Sequence, residues 1–221
     1  MSSLPRLLLC AATALAAACR PTGSPSAGNA SLSGAAAGRG AAAAARPAFH
    51  RSDYSVHDLD GSWRDHDGRA RSLASLGGKV QVVAMVYTRC THTCPAVLAE
   101  FKTIEAALPT GQDRIGFVLV SMDPTRDTPA RLREFAASAR LDLTRWTLLA
   151  GGEEQVRELA ALLGVRYRPE AGGEFSHANV YLVLDPQGRV ALRQDGLNGT
   201  TMQNAAFISS LAGYPPASNH R

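Results

Sequence analysis

Residues 80–109 read VQVVAMVYTRCTHTCPAVLAEFKTIEAALP, and the fold is decided here. Val80 to Tyr87 is an apolar run, polar only at Gln81 and rich in β-branched side chains, the composition of a strand buried on both faces of a helix-covered sheet. Beyond Cys94, Pro95 suits a first helical position, and Val97, Leu98, Phe101, Ile104 and Leu108 recur at helical spacing up to Pro109. The stretch is a strand, a short loop and a helix, with Cys90 and Cys94 at the junction.

Towards the C-terminus, Ile115–Ser121 predicts a second buried strand. Asp123-Pro124 follows, then a helix that opens at Thr128-Pro129 and carries Leu132, Phe135, Ala136 and Ala139. Trp146–Leu149 reads as a third strand, and Glu153–Leu163 as a helix with an acidic first turn and Gly164 just past its end. Val180–Leu184 is a fourth strand, which Asp185-Pro186-Gln187-Gly188 turns into Arg189–Leu192, the one clear hairpin of the chain. A helix from about Thr200 to Leu211 closes the sequence pattern. Upstream, residues 63–73, WRDHDGRARSL, form an extra hairpin ahead of the core. Strands that alternate with helices and finish in a hairpin give an α/β class: a mixed central sheet flanked by helices, with an N-terminal hairpin addition. That order is the thioredoxin-like one.

The N-terminus is of another kind. Arg6 precedes a short apolar run, Leu7 to Ala18, which reads as an export signal over residues 1–18 and is too short to span a membrane. Cys19 follows three alanines and resembles the lipobox cysteine of bacterial lipoproteins, with Leu15 one place early. Cleavage before Cys19 would leave a lipid-anchored cysteine on the periplasmic side of the membrane; plain signal-peptidase cleavage after Ala18 would leave a soluble periplasmic protein. Lipidation is the expectation, because cysteine is scarce and Cys19 falls where the small residues end. Residues 19–48 lack bulky apolar side chains and read as this anchor and a flexible Ala/Gly/Ser/Pro tether. The domain occupies 49–214, enough chain for a core without metal or disulfide, and 215–221 is a tail. Net charge is +4, but the arginines are scattered among acidic residues with no basic stripe, so nucleic acid is not an expected partner.

With Cys10 in the signal and Cys19 at the anchor, Cys90 and Cys94 remain to the domain. Four residues apart in helical geometry, their α-carbons lie about 6 Å from one another, within disulfide range. Cys94 opens a helix, where free amides and the dipole favour thiolate, and Arg89 adds positive charge. A reversible, metal-competent pair and an inert stabilising disulfide both fit this spacing. So small a loop gives little entropic stabilisation, which favours the first.

Three motifs stand in order: VYTRCTHTCP at 86–95, SMDPTRDTP at 121–129 and FSHANVYLVLDPQGRV at 175–190. They resemble the successive motifs of the Sco/SenC family, and the likeness runs from DHDGRARSL to the final hairpin. The resemblance implies a thioredoxin-like copper chaperone that assists assembly of the copper centre of cytochrome oxidase or a related respiratory copper enzyme. It implies one copper, Cu(I) or Cu(II), held by Cys90, Cys94 and His177, with Asp123 near the site in a supporting role. A copper-accepting oxidase subunit and a thiol reductant are the implied partners. Two soft thiolates with one imidazole suit both copper states and leave a position open for handover. Closed structural zinc needs a fourth ligand, which His92 would have to supply; an exposed loop imidazole is the expectation for His92. Asp123 also fits a plain turn role before Pro124. Met85 and Met122 fall in apolar strand patterns and are expected in the core, and His50, His57, His66 and His220 at the surface.

The alternative function is a periplasmic thiol-disulfide oxidoreductase that keeps copper-site cysteines of its target reduced. Thioredoxin-like oxidoreductases usually carry a proline just before the strand that opens the final hairpin. Ser176-His177-Ala178 stands there instead, which favours a metal site. A peroxidase lacks its usual Pro and Thr spacing ahead of Cys90, while a copper or redox sensor is compatible with the same residues.

Overall fold

The computed structural model describes residues 53–108, 113–197 and 199–214. The signal, Cys19, the tether, His50, the tail and His220 lie outside the described residues. In chain order the elements are β1 (Trp63–Asp65), β2 (Ala70–Arg71), β3 (Val80–Val86), α1 (Cys94–Ala107), β4 (Ile115–Ser121), α2 (Pro129–Ser138), β5 (Trp146–Ala150), α3 (Glu153–Leu162), β6 (Tyr167–Pro169), β7 (Phe175–His177), β8 (Val180–Leu184), β9 (Val190–Asp195) and α4 (Thr201–Leu211).

One seven-stranded sheet runs β2-β1-β5-β4-β3-β8-β9. Every residue of β3, β4 and β8 is buried, as continuous apolar runs require at the centre of a helix-covered sheet. β3, β4 and β5 are mutually parallel, whereas β8 runs antiparallel to β3 and β9 antiparallel to β8. The sheet is therefore mixed, as expected. Aromatic packing ties helix to sheet: Phe117 stacks on Trp146 at 4.7 Å, and Phe101 of α1 meets Phe117, Trp146 and Tyr181. The N-terminal addition is real, with Trp63 paired to Arg71 and Arg64 to Ala150, which joins β1 to the sheet.

This topology decides where the three motifs meet. Parallel β3 and β4 send their C-terminal ends to the same edge of the sheet, with Val86 opposite Ser121. Antiparallel β8 brings its N-terminal end, and the chain before it, to that same edge. The cysteine loop, the Asp123 turn and His177 converge for that reason.

Four departures from the sequence reading stand out. Tyr167–Pro169 and Phe175–His177 form a second hairpin, a separate two-stranded sheet that carries His177. Its tip passes through Gly172 and Gly173, both at φ +81, a left-handed conformation that glycine adopts without penalty. α1 begins at Cys94, so Pro95 is its second residue, and β9 continues to Asp195 because Leu192 and Gln194 still face the interior. Lastly, His66 is buried, not surface: its Nδ1 accepts the Leu148 N–H at 3.4 Å. Met85 and Met122 are core residues, as their strand patterns predict.

Candidate metal centre

Tyr87 ends the buried run of β3, and the chain turns at once, with the Cys90 N–H donating to the Tyr87 carbonyl at 3.2 Å. The turn sets Cys90 over the start of α1, where the Cys94 N–H donates to Cys90 Sγ at 3.3 Å. This is a helix-terminal amide directed at sulfur, the arrangement that stabilises a thiolate. Cys90 is half-buried, Cys94 is buried, and both are free thiols.

His177 enters from the second hairpin. Its Nδ1 lies 3.2 Å from the Ala178 carbonyl, which can only accept, so Nδ1 carries the proton and Nε2 presents its lone pair. Nε2 lies 2.9 Å from Thr93 Oγ1 and 3.8 Å from Cys94 Sγ. Cys90 Sγ is 3.6 Å from the same Thr93 hydroxyl. The ligand atoms of Cys90, Cys94 and His177 all lie within 4.8 Å of one another, and no other His, Cys, Asp or Glu joins them as a metal-type group among the described residues. Two sulfurs and an unprotonated imidazole nitrogen at this separation form a three-donor set suited to a soft or borderline metal.

The two thiols differ in acidity. Burial alone pushes Cys90 up, but hydrogen bonds from the Cys94 thiol and amide and from the His92 backbone outweigh it and hold Cys90 at about 5. Burial, with Cys90 as neighbour, pushes Cys94 well above the ordinary thiol range. The helix-terminus argument therefore applies to the sulfur across the turn: the amide of Cys94 serves Cys90, while the Cys94 side chain packs into the core.

A cavity of about 340 Å³ opens onto Cys90, Thr93 and His177, rimmed by Tyr87, Phe175 and Glu174. His92 lines its mouth, exposed, with Nδ1 3.1 Å from Thr91 Oγ1, and stays outside the donor group. Asp123 also stays outside. Its carboxylate takes the Thr125 hydroxyl and the Arg126 guanidinium, each at 2.9 Å, and faces a neighbouring cleft of about 590 Å³ along the second hairpin. The turn role is the one this geometry gives Asp123.

Two residues that the sequence did not single out support the site. Tyr87 donates to Glu174 at 2.7 Å, accepts the Phe175 N–H at 3.3 Å and packs edge-on against Phe175 and His177. It pins the His177 hairpin to the end of β3. Asp127, four residues after Asp123, reaches Thr88 at the start of the cysteine loop. Its place in the motif SMDPTRDTP was visible; its direction, away from Asp123 and towards the loop, was not.

Comparison with known proteins gives matches of three kinds. The SCO1/SenC family model matches residues 56–212. A SCO1 protein homolog of Bacillus subtilis is 26% identical over 142 residues, covering 63% of this chain and 74% of its own length. Among solved structures, Bradyrhizobium japonicum ScoI with copper bound is similar at 25% identity and a TM-score of 0.59, over 68% of this chain and 96% of that one. A SCO1/SenC family lipoprotein from Bacillus anthracis shares the fold, with a TM-score of 0.64 at 23% identity over 71% of this chain and 96% of its own.

Proposed function

Because this chain belongs to the SCO1/SenC family, we propose that it binds one copper ion through Cys90, Cys94 and His177 and delivers it to the copper-accepting subunit of a respiratory oxidase or related enzyme. The observation that supports this most is the convergence of three soft or borderline donors from two remote segments within 4.8 Å. Copper, as cargo, brings affinity for thiolate and imidazole in both of its oxidation states. Each residue has a distinct part. Cys90 is already ionised near neutral pH, Cys94 gives up its proton when metal arrives, and His177 offers a lone pair that its bond to Ala178 keeps inward. Three protein donors leave a coordination position on the cavity side, through which an acceptor's ligand can enter.

After delivery the pair can close as a disulfide by exchange with an oxidised disulfide partner, which leaves as two thiols, and a thiol reductant reverses the exchange. The export-signal pattern of residues 1–18 and the lipobox-like Cys19 support, in the same proposal, a site of action on the periplasmic side of the membrane.

One observation favours a second function, thiol-disulfide exchange with the target. An acidic, accessible Cys90 beside a buried, weakly acidic Cys94 is the division between attacking and resolving thiols. Membranes from a strain lacking the protein separate the two. Copper delivery predicts an oxidase deficient in copper, restored by the wild-type gene and by neither Cys90→Ser nor His177→Ala. Full restoration by His177→Ala would replace delivery with thiol exchange.

A further inference from the structure

Three carboxylates are buried among the described residues: Asp65, Asp123 and Asp127. Asp65 meets Arg71, and Asp123 meets Arg126. Among the described residues no cation pairs with Asp127. It is 1% exposed and held by hydroxyl and amide donors alone: Ser121 Oγ at 2.6 Å, Thr88 Oγ1 at 2.5 Å and the Thr88 N–H at 3.1 Å. A buried charge is tolerated only where such bonds replace water, so each of the three is costly to break.

Two of the three come from one residue, Thr88, which immediately precedes the Arg89-Cys90 step of the turn. Main chain and side chain of Thr88 are gripped together, leaving the loop little freedom at its first residue. The other side of the grip is equally fixed. Asp127 donates its own N–H to the Asp123 carbonyl at 2.9 Å, and Thr128 beside it caps α2 by accepting the Arg131 N–H. The loop that carries Cys90 is thereby tied to the start of α2, and through Ser121 to the end of β4.

We infer that Asp127 is the positioning residue of the cysteine loop: its carboxylate clamps Thr88 and so fixes Cys90 within bridging reach of Cys94 and ligating reach of His177. Asp127 bonds to neither sulfur nor imidazole; its carboxylate charge helps hold the Cys94 thiol protonated, and its bonded grip on the loop is through Thr88. For its metal arm this inference rests on the copper proposal, and for its thiol arm it does not.

The test uses the purified full-length chain and three variants. Asp127→Asn keeps the shape and one acceptor oxygen but halves the grip. Thr88→Val removes only the hydroxyl bond. Thr128→Ala removes the neighbouring helix cap and serves as the control for stability alone. The first readout needs no metal: the equilibrium in which the Cys90/Cys94 dithiol and oxidised glutathione give the protein disulfide and two reduced glutathiones. Holding the two thiols in register raises their effective concentration for one another, so loosening the loop shifts the balance towards dithiol. The expected shift is at least tenfold for Asp127→Asn, smaller in the same direction for Thr88→Val, and under twofold for Thr128→Ala, although its melting temperature falls. The second readout is the thiolate-to-Cu(II) charge-transfer band, which should weaken in the first two variants and not in the third.

A folded Asp127→Asn whose glutathione equilibrium stays within twofold of wild type would overturn the assignment, as would a Thr128→Ala shift of equal size. If Asp127→Asn does not fold, Thr88→Val decides: an unchanged equilibrium there counts against the clamp. Wild type that takes up no copper would defeat the proposed function, and the glutathione equilibrium would still decide this inference.

Discussion

At the scale of single residues, the informative contrast is between two cysteines of one motif. Spacing made them a pair, and position at a helix start pointed to Cys94 as the thiolate. Geometry reverses that order, because the helix amide reaches the sulfur across the turn and the Cys94 side chain is driven into the core. Alkylation of the reduced protein with iodoacetamide should show a fast phase that is half-maximal near pH 5, absent in Cys90→Ser, and a slow phase from Cys94. The same asymmetry enters stability. Cys90 has a folded pKa below its ordinary value of 9.0, so its contribution is complete above that value and is lost as pH falls through about 5. Cys94, raised on folding, adds nothing to this slope until pH passes the ordinary thiol range. The urea midpoint of the reduced protein should therefore rise from pH 5 to pH 8, and the rise should vanish in Cys90→Ser. Asp123, expected near the site in a supporting role, binds Thr125 and Arg126 within its own turn and lies outside the donor group.

At the scale of elements, what was legible follows from burial. β3, β4 and β8 are buried throughout and, apart from Gln81 and Ser121, carry no polar side chain but the Tyr181 hydroxyl, because both faces are covered, and a run of that kind has one structural meaning here. α2 announced itself through Thr128 and Pro129, and Gly164 marked the end of α3. The hairpin of β6 and β7 had no such signal. Its strands are three residues each, partly exposed, and one ends in Pro169, so neither alternation nor an apolar run marks them. It is held from outside, by Tyr87. Tyr87→Phe keeps the ring contacts and loses the bonds to Glu174 and Phe175, which predicts a loss of about 1 kcal/mol in unfolding free energy. Because the same change frees the hairpin that carries His177, copper affinity should fall severalfold in isothermal titration while the far-ultraviolet spectrum is unchanged. The donor set was legible only through family resemblance: His177 lies 83 residues from Cys94, and no local pattern links them.

At the scale of the molecule, the sheet order turns three distant motifs into one edge. β3 and β4 end there, β8 begins there, and the metal centre is a consequence of strand direction as much as of ligand identity. The proposed anchor adds a membrane to this picture. Fractionation of cells that express Cys19→Ser should move the protein from the membrane to the soluble periplasmic fraction; continued membrane association would remove the lipid from the proposal. The central claim, that Cys90, Cys94 and His177 act as one copper site, is tested most directly by copper titration of the reduced wild type beside His177→Ala and His92→Ala, followed by the thiolate-to-copper absorption. One equivalent should bind to wild type and to His92→Ala with the same intense band. His177→Ala should bind at least tenfold more weakly with an altered band, yet fold normally and still form the Cys90–Cys94 disulfide. A His177→Ala protein that bound copper with wild-type affinity and spectrum would contradict the account.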